Sequence, residues 1–122
     1  MNYYRVENKM IDELATARRT YYFLKSYPSL LKLANLEGYS GPYTKKAIEI
    51  INLIETYREN LNESKREIFD NLFIRKQKET KRLPQLFKDL AIDRVAYEHI
   101  KVEILLDFAQ SYRGGVLLSW RC

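Results

Sequence analysis

Apolar residues recur at helical spacing along most of the chain, which predicts a succession of amphipathic helices. The first stripe steps by three or four residues, through Val6, Met10, Leu14, Ala17, Tyr21 and Leu24. It predicts one long helix, which packs against its own chain or against a second copy. Pro28 drives the residue before it out of the α region, so this helix ends there and a short second helix follows.

The segment 38–43 contains two glycines and a proline and is predicted to be a loop. Thr44 then provides the N-cap of a third helix. Its inward positions follow the same helical spacing, at Ala47, Ile48, Ile51, Ile54 and Leu61.

Three further helices are predicted in the C-terminal half. Ser64 and Glu67 have the spacing of a capping box and open an apolar stripe at Ile68, Phe69, Leu72 and Phe73. A basic connector, 75–82, leads to a short helix at 83–90 with Pro84 in its first turn. Asp93 is a favourable N-cap for a long last helix. The inward positions of that helix are Tyr97, Ile100, Ile104, Leu105 and Phe108.

The break between the last two helices is only a few residues long. A turn this tight leaves two helices crossed and lets the last one protrude, as in a helix-turn-helix. Three ordinary core helices are the alternative. The fold prediction is an all-α protein with an N-terminal helical region at 1–62 and a helix-turn-helix region with a short tail at 63–122. Four glycines and three prolines in 122 residues also favour long helices.

The formal net charge of +5 and the sequence pI near 9.3 are compatible with a nucleic-acid partner. The connector 75–82 holds five basic residues and one acidic residue, a local charge of +4. By itself such a run is a solvated loop. Beside a helix-turn-helix it becomes a candidate for phosphate contacts.

The cysteine content and the hydropathy pattern exclude several classes of protein. Cys122 is the one cysteine, which excludes a disulfide framework and a cysteine-based zinc site. The chain shows no apolar run of signal-peptide or membrane-spanning type. We therefore expect a cytoplasmic protein without a membrane partner.

We find no catalytic constellation in the sequence. His99 is the single histidine, and with Glu103 it supplies only two potential metal ligands. No Ser-His-Asp set and no nucleotide-binding motif occur. The prediction is a protein that is not an enzyme and uses no cofactor or metal.

Residues 64–118 resemble the ArpU-type transcriptional regulators encoded by phages, which are related to RinA-type activators and to region 4 of sigma factors. The most specific similarity is the segment LLDFAQSYRGGVLL at 105–118. The resemblance implies a sigma region 4-like helix-turn-helix in a regulator of late phage genes, acting in a bacterial host. It also matches Arg94 with a recurrent arginine early in the last helix, and Tyr97 with an aromatic residue.

If the last helix enters a major groove of DNA, its first turns contact the bases and the basic residues near it contact the phosphate backbone. The side chains expected to contact base edges are Arg94, Val95, Glu98 and His99. Those expected to contact phosphates are Arg75, Lys76, Lys78, Lys81, Arg82 and Lys101. Arginine can fork onto guanine, valine can touch a thymine methyl, and glutamate can only accept from an amino group.

The functional prediction is a sequence-specific transcriptional regulator that binds double-stranded DNA, with activation of late phage or prophage genes implied by the resemblance. A homodimer is plausible because two half-sites multiply a limited affinity. The alternative is a helical module that binds RNA polymerase or a host regulator and has little affinity for DNA. Glu98 and the bulky Phe87, at a position where crossing helices prefer a small residue, favour that alternative.

Overall fold

Helices form the body of the protein, in agreement with the predicted all-α class. The structure is a computed structural model that describes residues 5–6, 9–36 and 41–121. Its α-helices are α1 (Glu13–Lys25), α2 (Tyr27–Ala34), α3 (Pro42–Glu59), α4 (Glu63–Phe69), α5 (Leu83–Leu90) and α6 (Arg94–Ser111). A π-helical turn at Asp70–Ile74 continues α4, and 3₁₀ turns lie at Gln77–Glu79 and Tyr112–Gly114.

A small antiparallel sheet lies beside the start of α1 and replaces the first two turns of the predicted long helix. Its strands are β1 (Arg5–Val6), β2 (Lys9–Ile11) and β3 (Trp120–Arg121), and β2 lies in the middle. The predicted helix start near Val6 is therefore wrong. The physical reason is Asp12, whose side chain accepts a hydrogen bond from the Ala15 N–H at 3.1 Å and caps α1 after the strand.

The buried face of α1 is more polar than the apolar stripe predicts. Leu14 is 69% exposed, whereas Thr16 and Thr20 are fully buried. Both hydroxyls have partners: Thr16 Oγ1 accepts from the Ser119 N–H at 2.8 Å, and Thr20 Oγ1 donates to the Thr16 carbonyl at 2.8 Å. A satisfied hydroxyl can occupy a core position without the cost of an unpaired polar group.

One hydrophobic core includes residues from both sides of the predicted boundary at 62/63. α1 packs along α6, and α2 packs along α3. Phe69 and Phe108 are fully buried in the core, and the Tyr57 ring meets the Phe108 ring edge-on with centroids 5.0 Å apart. The hydrophobic core is therefore continuous across the boundary at 62/63, and the division into two regions stays a prediction.

The predicted start of the third helix is shifted toward the N-terminus in the structure. Gly41 stands at the cap of α3 and Pro42 at its first position, so Thr44 lies inside the helix and is buried. Ile48, predicted to face inward, is 44% exposed. Of the predicted loop 38–43, residues 38–40 lie outside the described part of the chain.

α4 begins at Glu63 because Asn62 caps it, so the predicted capping box does not form. The Asn62 side chain accepts from the Lys65 N–H at 2.9 Å. Ser64 is exposed within the first turn, and Glu67 is left free to pair with other residues. Arg58 of α3 holds the following π-helical turn through a bidentate pair with Asp70, at 2.6 and 2.7 Å.

Candidate nucleic-acid interface

The short helix, tight turn and long helix expected near the C-terminus are all present. α5 ends at Leu90, and the next residue, Ala91, adopts the left-handed conformation with φ 55°. The Ile92 N–H donates to the Phe87 carbonyl at 3.0 Å, and the Asp93 side chain then caps α6 by accepting from the Ala96 N–H at 2.8 Å. This is the connectivity that a helix-turn-helix requires, and its likeness to sigma region 4 remains a prediction.

The bulky residue at the crossing of α5 and α6 is accommodated by an aromatic contact. The half-buried Phe87 ring lies 5.1 Å from the Tyr97 ring, centroid to centroid. Tyr97 is 2% exposed, and its burial raises the pKa of its hydroxyl. The two rings therefore lie between α5 and α6 at a position where a close helix crossing would need a small residue.

The two halves of α6 have different surroundings. In the C-terminal half, five residues are buried, namely Ile104, Leu105, Leu106, Phe108 and Ala109. In the N-terminal half, Arg94, Val95 and His99 are exposed, and Val95 is 78% exposed. The half of α6 that is expected to read bases is therefore the half that is accessible.

One side of this accessible half borders a cleft of about 880 Å³, which we call the basic cleft. The connector, the first turn of α5, α6 and the end of α1 line it. Its charged side chains are Lys25, Arg75, Lys81, Arg82, Arg94, Lys101 and Glu98. Six cations against one carboxylate make this cleft suited to a polyanion.

The other side of α6 borders a groove of about 600 Å³, which we call the acidic groove. It is lined by Glu13, Val95, Glu98, His99, Val102, Glu103 and Leu106. The predicted base-contact residues are thus divided between two surfaces. Arg94 borders the basic cleft, Val95 and His99 border the acidic groove, and Glu98 borders both.

Three of the predicted phosphate-contact residues already have acidic partners. Arg75 Nη2 lies 2.7 Å from Glu67 Oε2, and Lys81 Nζ lies 3.1 Å from Glu67 Oε1 and 2.8 Å from Asp89 Oδ2. Lys101 Nζ lies 3.1 Å from Glu98 Oε2. The hydrogen bond from Arg75 holds the pKa of the Glu67 carboxyl below its usual range.

The other predicted cations are unpaired within the described residues. Arg82 and Arg94 are exposed, border the basic cleft and form no ion pair there. Lys76 and Lys78 are exposed near the 3₁₀ turn and do not line the cleft. The structure therefore separates cations that are available to a ligand from cations that brace the connector.

Two residues of the basic cleft were not anticipated from the sequence. Lys25, at the end of α1, donates to the Leu72 carbonyl at 2.8 Å and lies over the Phe73 ring. Asn71 is buried beside the connector and hydrogen-bonds to the backbone of Lys81. Asn71 could have been noticed as a polar residue inside an apolar stripe, but only the packing of α1 on the C-terminal region brings Lys25 to the cleft.

Comparison of the chain with family models, with curated proteins and with solved structures finds no match in any of the three. The resemblance to ArpU-type regulators therefore stays an expectation. Among the described residues, no helix has the length and apolar character needed to cross a membrane. The same residues contain no cluster of three or more side chains suited to holding a metal ion.

Proposed function

We propose that this chain is a DNA-binding transcriptional regulator that uses α5, the turn at 91–93 and α6 to bind double-stranded DNA. The observation that carries the proposal is the basic cleft beside the exposed start of the capped helix α6. Six cations line it, and Arg82 and Arg94 among them have no ion pair within the described residues. Lysine and arginine side chains on one face supply the sequence-independent part of DNA affinity through phosphate contacts.

In this arrangement the N-terminal half of α6 enters the major groove while the phosphate backbone follows the basic cleft. Arg94 stands in the first turn of α6, where it can reach a guanine edge or a phosphate. Lys101 lies on the same face of α6, about two turns further along. Exchange of its ion pair with Glu98 for a phosphate would free that carboxylate to accept from a base amino group.

The regulatory part of the proposal comes from the resemblance. It implies activation of late phage or prophage genes in the cytoplasm of a bacterial host, with RNA polymerase as a further partner. A homodimer would place two reading helices on two half-sites and so multiply the affinity of each.

The acidic groove favours a second candidate function, that of a protein-interaction module. Val95 is 78% exposed at its edge, and three carboxylates, Glu13, Glu98 and Glu103, surround its apolar floor. Exposed apolar surface with a polar rim is typical of protein contacts, and these carboxylates would repel phosphate. In this alternative, α6 binds a partner such as RNA polymerase and DNA affinity is small.

Selection of bound sites from a random duplex pool tests the DNA proposal. We expect the wild type to enrich one motif and the Arg94→Ala/Lys101→Ala variant to lose it. Loss of two charge-assisted contacts should lower affinity roughly 100-fold or more. The control is Lys45→Ala/Lys46→Ala, which removes the same charge from exposed positions on α3 away from the basic cleft.

Enrichment of no motif by the wild type at moderate salt would contradict the DNA proposal. Equal losses in the two double variants would show that net charge alone accounts for binding. A salt-insensitive complex with RNA polymerase subunits in a pull-down would then support the protein-interaction module.

A further inference from the structure

The connector ends in Lys81 and Arg82, whose backbone groups are held by hydrogen bonds from Asn71 and from the first turn of α5. The Lys81 N–H donates to Asn71 Oδ1 at 2.7 Å, and Asn71 Nδ2 donates to the Lys81 carbonyl at 3.1 Å. One carboxamide thus satisfies both backbone groups of Lys81. The next residue, Arg82, caps α5, and its carbonyl accepts from the N–H groups of Gln85 and Leu86 at 3.0 Å each.

Asn71 is itself held firmly. It is 7% exposed and belongs to the π-helical turn, whose first residue, Asp70, is fixed by Arg58. Its Oδ1 also accepts from Arg75 Nη1 at 3.2 Å. A buried amide with all these partners transmits the position of α4 to the end of the connector.

The charges of the connector are arranged around the same anchor. Glu67 forms ion pairs with both Arg75 and Lys81, and Asp89 forms a second ion pair with Lys81. Either cation would have to give up an ion pair before it could bind a phosphate. Arg82 is exposed, borders the basic cleft and has no ion pair among the described residues.

We propose that Asn71 and Glu67 are positioning residues, which hold the connector so that Arg82, and not Arg75 or Lys81, offers its charge to the DNA backbone. The proposal rests on the proposed function for its ligand. Of the three connector cations that line the basic cleft, Arg75 and Lys81 then hold the connector in place and Arg82 contacts phosphate. Because the backbone at Lys81 and Arg82 is already fixed, only the Arg82 side chain has to be ordered when it binds a phosphate.

The salt dependence of binding to a short mixed-sequence DNA duplex tests which cation meets phosphate. Each phosphate contact contributes about 0.9 to the slope of log K against log salt concentration. We expect Arg82→Met to lower the slope by about 0.9, and Arg75→Met and Lys81→Met to leave it unchanged. An equal fall in slope for Arg75→Met or Lys81→Met would overturn the proposal.

Coupling between Asn71 and Arg82 tests the positioning role. If Asn71 acts through Arg82, the Asn71→Ala/Arg82→Met double variant should bind no more weakly than the weaker of the two single variants. Fully additive losses would show that the two residues act independently and would contradict the proposal. Asn52→Ala, at an exposed position on α3, is the matched control and should leave affinity unchanged.

Hydrogen exchange of the Lys81 amide tests the anchor without any DNA. We expect slow exchange in the wild type and in Asn52→Ala, and at least tenfold faster exchange in Asn71→Ala, with the amides of α6 unchanged. Equal exchange of the Lys81 amide in all three proteins would overturn the anchor. If the wild type binds no duplex, the proposed function and the assignment of Arg82 to phosphate binding both fail. The exchange experiment would still show whether Asn71 holds the backbone of Lys81.

Discussion

The two halves of α6 show how one helix can serve two different requirements. Between 104 and 109, every residue except the exposed Asp107 is buried in the core, where Phe108 packs among the rings of Phe23, Tyr57 and Tyr112. Residues 94–102 carry the exposed charges and face two surfaces of opposite character. Stability and binding should therefore respond to substitutions in different halves of the same helix, and this separation can be tested directly.

The largest expected effect is on stability, from the core half. Phe108→Ala should lower the free energy of unfolding by about 3–5 kcal/mol, because it leaves a cavity among three aromatic rings. Chemical denaturation measures this change. Val95→Ala on the same helix is the control and should change stability by less than about 0.5 kcal/mol, since the side chain is exposed. Similar losses in the two variants would abolish the distinction between the halves.

A smaller effect is expected at the start of the exposed half. Asp93→Ala removes the side-chain acceptor that caps α6 and should cost about 1 kcal/mol of unfolding free energy. Asp93→Asn keeps an acceptor and should retain most of the stability. If Asp93→Asn loses as much as Asp93→Ala, the negative charge near the helix start, and not the hydrogen bond, supports this half.

The smallest expected effect lies where the two halves meet. Lys65 Nζ is 2.6 Å from Glu103 Oε1, and this hydrogen bond lowers the pKa of the Glu103 carboxyl. A lowered pKa in the folded state adds stability above the unfolded pKa, and this stability is lost as the pH falls through the folded value. Because the Glu103 side chain is exposed and that of Lys65 is partly exposed, solvent screens the pair and we expect less than about 1 kcal/mol.

Urea denaturation across the acidic range measures the contribution of this pair. Glu103→Gln should lower stability slightly at neutral pH and flatten the decline below about pH 4.5 relative to the wild type. The difference between the two proteins should shrink in high salt. A difference that persists at the lowest pH would come from packing and not from the charge.

The elements that were predicted well are those specified by neighbouring residues. Pro84 opens α5 and Asp93 caps α6 as expected, because both act within one turn of their own position. The inward positions Ile104, Leu105 and Phe108 are also confirmed. Helix propensity, capping and periodicity are local properties, so the sequence alone is enough to place these elements.

The elements that were missed depend on residues far away along the chain. β2 pairs with β3 near the other end of the described chain, so the pattern around Met10 cannot show that it is a strand. Thr16 is buried because Ser119 provides its partner. Within the site, the composition of the connector correctly marked a basic segment, but the pairing of Lys81 with Asp89 and Glu67 depends on the folded arrangement.

The π-helical turn at Asp70–Ile74 fixes the number of residues between α4 and the connector. Its defining hydrogen bond runs from the Arg75 N–H to the Asp70 carbonyl at 2.8 Å, five residues back, so the turn holds one residue more than an α-helix would. Deleting a residue within Asp70–Ile74 would reduce the turn to α-helical spacing and shift the start of the connector relative to α4. In evolution or in engineering, this segment should accept substitutions at its exposed neighbours far more readily than a single deletion.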